Sequence, residues 1–498
     1  MTLKSGLSVL SLARTLAAGA TVGATLLATV ALGQALPFLA PGDSHLRHQV
    51  ELDTDDGEIP LSTTWPLPTL DLPSDQRDHL RGYNQPGSAL DEGWFASAAA
   101  DPTKLRTFDD TPRENGEAGL YAGWAEDGYA GGAIRMAYDF NPSDGMHYRF
   151  DGSYVGVHLA NWWLTAGLQD RWWGPGWDSS LILSSNARPM PGIGLERASS
   201  DAPRWAWLHW IGPWRLVTFM DRMEDKRPDV DKPYFWGLRL TAQPIKGLEI
   251  GLSRTAIWCG TGRPCGFGTF WSLLTTRGNL ANNEMAIPNF ATIPGEQEGA
   301  IDMRYHIPGT GAAVYWQEYG QTYDSGNFRP RWTLQLLGVE FASRSVADGR
   351  LRTFLEFSDT TCSALSLSSS DKPSYGCAYE KPVYGDGYRY RGRAIGDSMD
   401  RDGKRFTLGV FYVDDTDRLW DLRLRHFDLN QGGIAEVVLE PQSVTTVAEK
   451  LWNVEFQLYG ALGAFRYSVG VGADYGGPVA DPHNSLVGRG FVSLSHPW

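Results

Sequence analysis

The stretch LWNVEFQLYG, Leu451 to Gly460, decides the fold. Trp452, Val454, Phe456 and Leu458 alternate with Asn453, Glu455, Gln457 and Tyr459, so an extended chain here carries one greasy face and one polar face. The pattern returns at Leu248, Ile250 and Leu252 against Glu249, Gly251 and Ser253, and at Leu334 and Leu336 against Thr333 and Gln335. A soluble sandwich alternates in the same way, so length, connections and aromatic placement must discriminate. These segments run to about ten residues, enough to cross a bilayer at a tilt of ~45°, and Trp and Tyr recur near their ends as in an aromatic girdle. The pattern predicts an all-β membrane protein, an antiparallel transmembrane β-barrel.

Outward from these strands, the connections alternate in length. Short ones fall at Ala160-Asn161, Ile211 to Trp214, Gln243 to Gly247, Pro308 to Gly311, Asp414 to Asp417 and Gly460 to Gly463. Between them come long ones at 170–202, 259–298, 359–404, 429–450 and 476–486. Outer-membrane barrels show this asymmetry, with short turns in the periplasm and long loops outside. About 18 strands are expected, the first at Lys104 to Phe108 near Leu105 and the last, Gly490 to Trp498, ending on an aromatic. An even number places the N-terminal part and the C-terminus on the same, periplasmic side.

Residues 1–35 read as a secretory signal, with Lys4 and Arg14 ahead of an apolar run from Leu16 to Leu32 and a small-residue site at Gly33-Gln34-Ala35. A membrane anchor fits less well, because the run is rich in Ala, Gly and Thr. Residues 36–102 form the expected helical domain, with short helices at Leu46 to Leu52, Ser74 to Gly82 and Leu90 to Ala100 between prolines. Residues 103–498 then form the barrel and its loops. The formal charge of −14 becomes −16 once Lys4 and Arg14 are removed, which argues against a nucleic-acid partner.

The four cysteines of an exported chain fall into two close pairs, Cys259 with Cys265 and Cys362 with Cys377, which predicts two local disulfides. A zinc site would need a second half that CGTGRPC lacks, so no metal is expected. No H-E-x-x-H, P-loop or dinucleotide fingerprint is present, and Gly396-Asp397-Ser398 lacks a strand-to-helix elbow. Neither a cofactor nor catalysis is implied.

The least generic stretch is RWWGPGWDSSLILSSNARPMPGIGLER, Arg171 to Arg197. Trp172, Trp173 and Trp177 offer flat apolar faces, while Asp178, Asn186 and Arg188 offer directed hydrogen bonds, a combination suited to sugars. An aromatic-rich structural plug uses the same residues, and spacing alone leaves both readings open. The WWGPGWD element, LILSSNARPMP and the following LER resemble the signature of the Wzi family, outer-membrane proteins that tether capsular polysaccharide to the bacterial surface. The resemblance runs from about Leu46 to the C-terminus and includes STTWPLP at Ser62 to Pro68, at the place of that family's periplasmic helical bundle. The second and third helices look shorter here than in the family. The last strand resembles the signal read by the barrel-assembly machinery, with Pro497 as a departure.

A second candidate lies between Asp359 and Lys404, where Tyr388, Arg389, Tyr390, Arg391 and Arg393 interleave rings with guanidiniums, a pattern suited to an anionic polysaccharide. Asp386, Asp397, Asp400 and Asp402 nearby support the competing reading, a neutralised solvated loop. The resemblance implies a monomeric surface lectin whose partners are capsular polysaccharide, outer-membrane lipid and, during biogenesis, the assembly machinery. A porin or sugar channel is the alternative, because so wide a barrel conducts unless loops fill it.

Overall fold

The computed structural model describes residues 36–73, 92–126, 128–275, 294–320, 333–362, 375–380, 383–432, 443–481 and 483–498. The expected signal segment and the expected helix at Ser74 to Gly82 lie outside these residues.

Eighteen antiparallel strands, from Glu92–Ala100 to Ser485–Pro497, close into a barrel, with the two-residue strand Tyr148–Arg149 as an extra pairing on Ala130–Phe140. The first and last strands form the seam, Ala100 opposite Gly490 and Gly93 opposite Pro497. Alternation explains the wall. One row, Val314, Val339, Leu355, Leu408, Leu424 and Val454, runs across six neighbouring strands on the outer face. Displaced by one residue, the inner row places Glu340, Phe354, Gly409 and Arg423 side by side. Gly409 is required there, since a Cβ would meet the Phe354 ring at 2.1 Å. No helix among the described residues is long and apolar enough to cross a membrane, and the strands make the crossing.

Connections at one end, here the turn end, are short: 160–161, 246–247, 307–311, 347–348, 414–418 and 463–464. Those at the other, the loop end, include 168–191, 259–294, 360–403 and 430–448. Both cysteine pairs are bonded as expected, at the loop end.

Three sequence expectations need correction. Glu92–Ala100 is a strand of the wall, not a helix: FASAAA has helical propensity, but pairing on both flanks overrides it. Lys104 to Phe108 is not a strand, so the barrel begins twelve residues before Lys104. Its Arg106 bonds the Thr111 carbonyl, and Thr107 and Phe108 turn into the lumen. The strand ending at Arg197 is followed by a 198–213 excursion at the turn end, so Ile211 to Trp214 is no tight turn.

The expectation of a small periplasmic helical domain over 36–102 also changes. Helix α1, Ser44–Asp56, is capped by the Asp43 side chain accepting from the Leu46 N–H (2.9 Å) and by Gly57 at φ 84°. From Ser44 to Thr54 it is buried within the barrel, polar residues included. Arg47 pairs with Glu51 (2.8 Å), and Glu51 pairs with wall residues Arg352 (3.2 Å) and Arg304 (3.4 Å). Buried charges persist only when so paired. The helix is therefore lumen filling, wedged against the wall by ion pairs.

Candidate functional site

Four chain segments meet in the lumen: 36–73, 101–115, 168–191 and 375–403. The Arg171 to Arg197 motif is their hub. Trp172 and Trp173 pair as a short strand with Trp65 and Thr64, and Phe108 lies edge-on to both Trp65 and Trp172 at 5.3 Å. Trp177 stacks on Phe354 and is covered by the Arg47 guanidinium at 4.1 Å, while its indole N–H donates to Glu340 at 2.8 Å. Trp172, Trp173 and Trp177 are 1%, 0% and 0% exposed. This corrects the expected platform: rings packed on every side have no face left for a glycan.

Asp178 is equally enclosed. It accepts from Arg425 (2.6 Å), Arg423 (2.9 Å) and Thr407 (2.9 Å). Burial alone would push its carboxyl up, but Arg425, Arg423 and Arg405 hold it far below the usual carboxylate range. Asn186 donates to the Ala394 carbonyl (2.8 Å), and Tyr388 donates to the Ile182 carbonyl (2.8 Å). The two candidate sites are thus one packed unit. Arg389 is buried against Asp400 (2.8 Å) and Glu380 (2.5 Å), and Tyr390 is buried beside it. Of the candidate binding residues singled out in the sequence, Arg188, Arg391 and Arg393 keep access to open space.

Around Arg188 the structure assembles what no local pattern announces. Arg106 and Arg113 come from 101–115, Arg188 from 168–191, and Arg391 and Arg393 from 360–403. Arg188 is held by Asp151 (2.6 Å), Asp139 (2.8 Å) and Glu114 (3.3 Å). Arg113 donates to the carbonyls of Ser185 (2.6 Å) and Asn186 (2.7 Å), fixing the motif's descent into the lumen. Burial and then the neighbouring Arg113 lower Arg106 to about 9 and Arg393 to about 10. Burial first and neighbouring guanidiniums second thus disfavour the charge on Arg106, Arg113 and Arg393, whereas carboxylates raise Arg188; an anion beside the first three would relieve that cost. Contacts spanning several loops leave no spacing to read, which is why Arg106 and Arg113 escaped sequence analysis.

Beneath this cluster lies a cavity of about 190 Å³, lined by Phe95, Asp110, Arg113, Glu117, Arg135 and Arg188 among others. The Arg135 guanidinium covers the Phe95 ring at 4.1 Å. Asp170 also borders it, and burial, with Asp151 close by, pushes that carboxyl up to about 7.

Residues 96–468 match the family described as capsule assembly protein Wzi. The chain belongs to the Wzi capsule assembly family. Over 92% of its length it superposes on 99% of the Escherichia coli Wzi structure, with a TM-score of 0.76 and 23% identity. That protein is described as an outer membrane protein involved in group 1 capsule assembly and a carbohydrate-binding β-barrel. A Klebsiella pneumoniae protein, described as an uncharacterized 55.8 kDa protein in the cps region, is 27% identical over 412 residues, or 79% of this chain and 77% of that one. Wzi membership covers the motif, the arginine cluster and most of the wall.

Proposed function

We propose that the chain is an outer-membrane lectin that attaches capsular polysaccharide to the cell surface. The turn end and the entry of segment 36–73 face the periplasm, and the loop end faces outward. One observation carries the reading: arginines from three separate long loops converge at the loop end of a barrel whose lumen is filled. Filling favours display over conduction, and convergence supplies the charge for an acidic glycan. The carbohydrate binding ascribed to the Escherichia coli relative is in keeping with this. Arg113, Arg391 and Arg393 are the contacts with polymer, and Arg188 holds the loops beneath them. The role requires binding alone, with no reaction and no cofactor. Lipid contacts the apolar wall, the assembly machinery reads the last strand, and the monomer suffices.

The test is a cell carrying Arg391→Ala with Arg393→Ala. The barrel should assemble at normal abundance and remain heat-modifiable on gels, while capsular polysaccharide is released into the medium. Capsule retained at the wild-type level, with unchanged glycan pull-down by the purified variant, would remove these arginines from the site.

A further inference from the structure

The excursion 198–213 is the long connection of the turn end among the described residues, and its composition differs from that of the other turns. The stretch Ala202 to Met220 contains no Asp or Glu, whereas the turn at 414–418 is DDTDR. Trp205, Trp207 and Trp210 are 66%, 71% and 69% exposed, and Trp205 and Trp207 stack at 6.2 Å with planes 3° apart. Arg204 and His209 lie among them.

The neck of the excursion is fixed. Trp214 N–H donates to the Ser200 carbonyl (2.8 Å), and Ser200 donates through both its N–H and its hydroxyl to Asp71 (2.7 Å each). Gly212, at φ 69°, sits so close to Gln243 that a Cβ would meet the Gln243 carbonyl at 2.0 Å. Gln243 N–H donates to the Pro213 carbonyl (2.8 Å). A held neck with three outward indoles is a presented surface, not a frayed turn.

The neighbouring rim says what it faces. Ile245, at the end of the strand next to Trp214–Arg222, and Leu159, two strands from Gly192–Arg197 on the other side, are exposed on the same end of the wall, and the Arg197 guanidinium lies over the Trp214 ring at 4.1 Å. Apolar wall, cation-covered Trp and acid-free Trp tip form a continuous gradient from hydrocarbon to headgroup chemistry. Tryptophan prefers that boundary, and Arg and His complement lipid phosphates there.

We propose that Trp205, Trp207 and Trp210 form a lipid-headgroup binding tip that rests in the interfacial layer of the leaflet at the turn end. It fixes the height of the barrel in the bilayer and, through Ser200 and Asp71, ties the lumen filling to the membrane surface. The inference rests on the membrane-spanning fold and not on the glycan reading.

The test places a fluorophore on Ala206→Cys in the full-length protein, in nanodiscs of phosphatidylethanolamine and phosphatidylglycerol carrying headgroup nitroxides. Asp415→Cys, in the acidic turn of the same end, is the reference. The Ala206 label should be quenched severalfold more by lipid nitroxide than the Asp415 label. Replacing all three tryptophans by Ser should bring it down to the reference. Equal quenching at both positions would put the tip in water, and protection from both lipid nitroxide and aqueous iodide would put it under protein, a second copy included. Either result overturns the proposal.

Discussion

Two tryptophan triplets lie within forty residues of each other, and the fold uses them in opposite ways. Trp172, Trp173 and Trp177 are sealed in the lumen, whereas Trp205, Trp207 and Trp210 stand free at the turn end. Their immediate sequences do not separate them: both are rich in Gly, Pro and aromatics. The difference lies in distant partners. The first triplet is followed by Asp178, for which Arg423 and Arg425 wait on the wall, and Glu356 accepts the Trp177 and Asp178 backbone N–H groups at 2.7 and 3.1 Å. The second sits in a stretch, Ala202 to Met220, that carries no carboxylate of its own. A polar anchor with a buried counter-charge, more than aromatic content, decides which triplet goes inside.

That comparison is broken most severely by removing the anchor. Asp178→Ala leaves Arg423 and Arg425 short of a partner in a closed lumen, a loss of about 3–5 kcal/mol for a buried ion pair. The expected outcome is a fall in the heat-modifiability midpoint and exposure of the motif to protease. A wild-type midpoint would show that the anchor does not hold the triplet inside. A finer cut is Trp177→Phe, which keeps the ring and removes the bond to Glu340. Chemical denaturation in detergent should register about 1.5–3 kcal/mol, the range for a hydrogen bond to a charged group. The smallest effect belongs to the other triplet. Trp207→Ala should change stability by no more than about 0.5 kcal/mol, as surface substitutions do, and a larger loss in the same assay would mean that the tip is packed after all.

These outcomes mark how far the sequence could be read. The wall was legible wherever polar and apolar residues alternate, as in Leu451 to Gly460, because a strand between lipid and a polar lumen cannot hide its period. Glu92–Ala100 was not, since a run of small residues carries no period and its strand state depends on Ser485–Pro497, almost four hundred residues away. The local disulfides were legible from their spacing. The motif was correctly singled out as unusual, but its partners Arg423, Arg425 and Glu340 lie far along the chain, so burial of the tryptophans could not be seen. Arg188 was singled out for directed hydrogen bonds, and Arg391 and Arg393 for guanidiniums interleaved with rings, while Arg113 needed the fold to bring it beside them.

The seam between Glu92–Ala100 and Ser485–Pro497 has a further meaning for how long the molecule lasts. Of the four segments that fill the lumen, only 36–73 precedes the first strand of that seam in the chain, and the strand that closes it comes last. The thirteen-residue helix is tied to that wall through Glu51 by Arg304 and Arg352, so the filling and the closed wall hold each other. The closed ladder leaves no free sheet edge at which the wall can begin to part. Persistence is then set by the rate of reopening and not by the depth of an equilibrium, which suits a fixture that cannot be refolded where it stands.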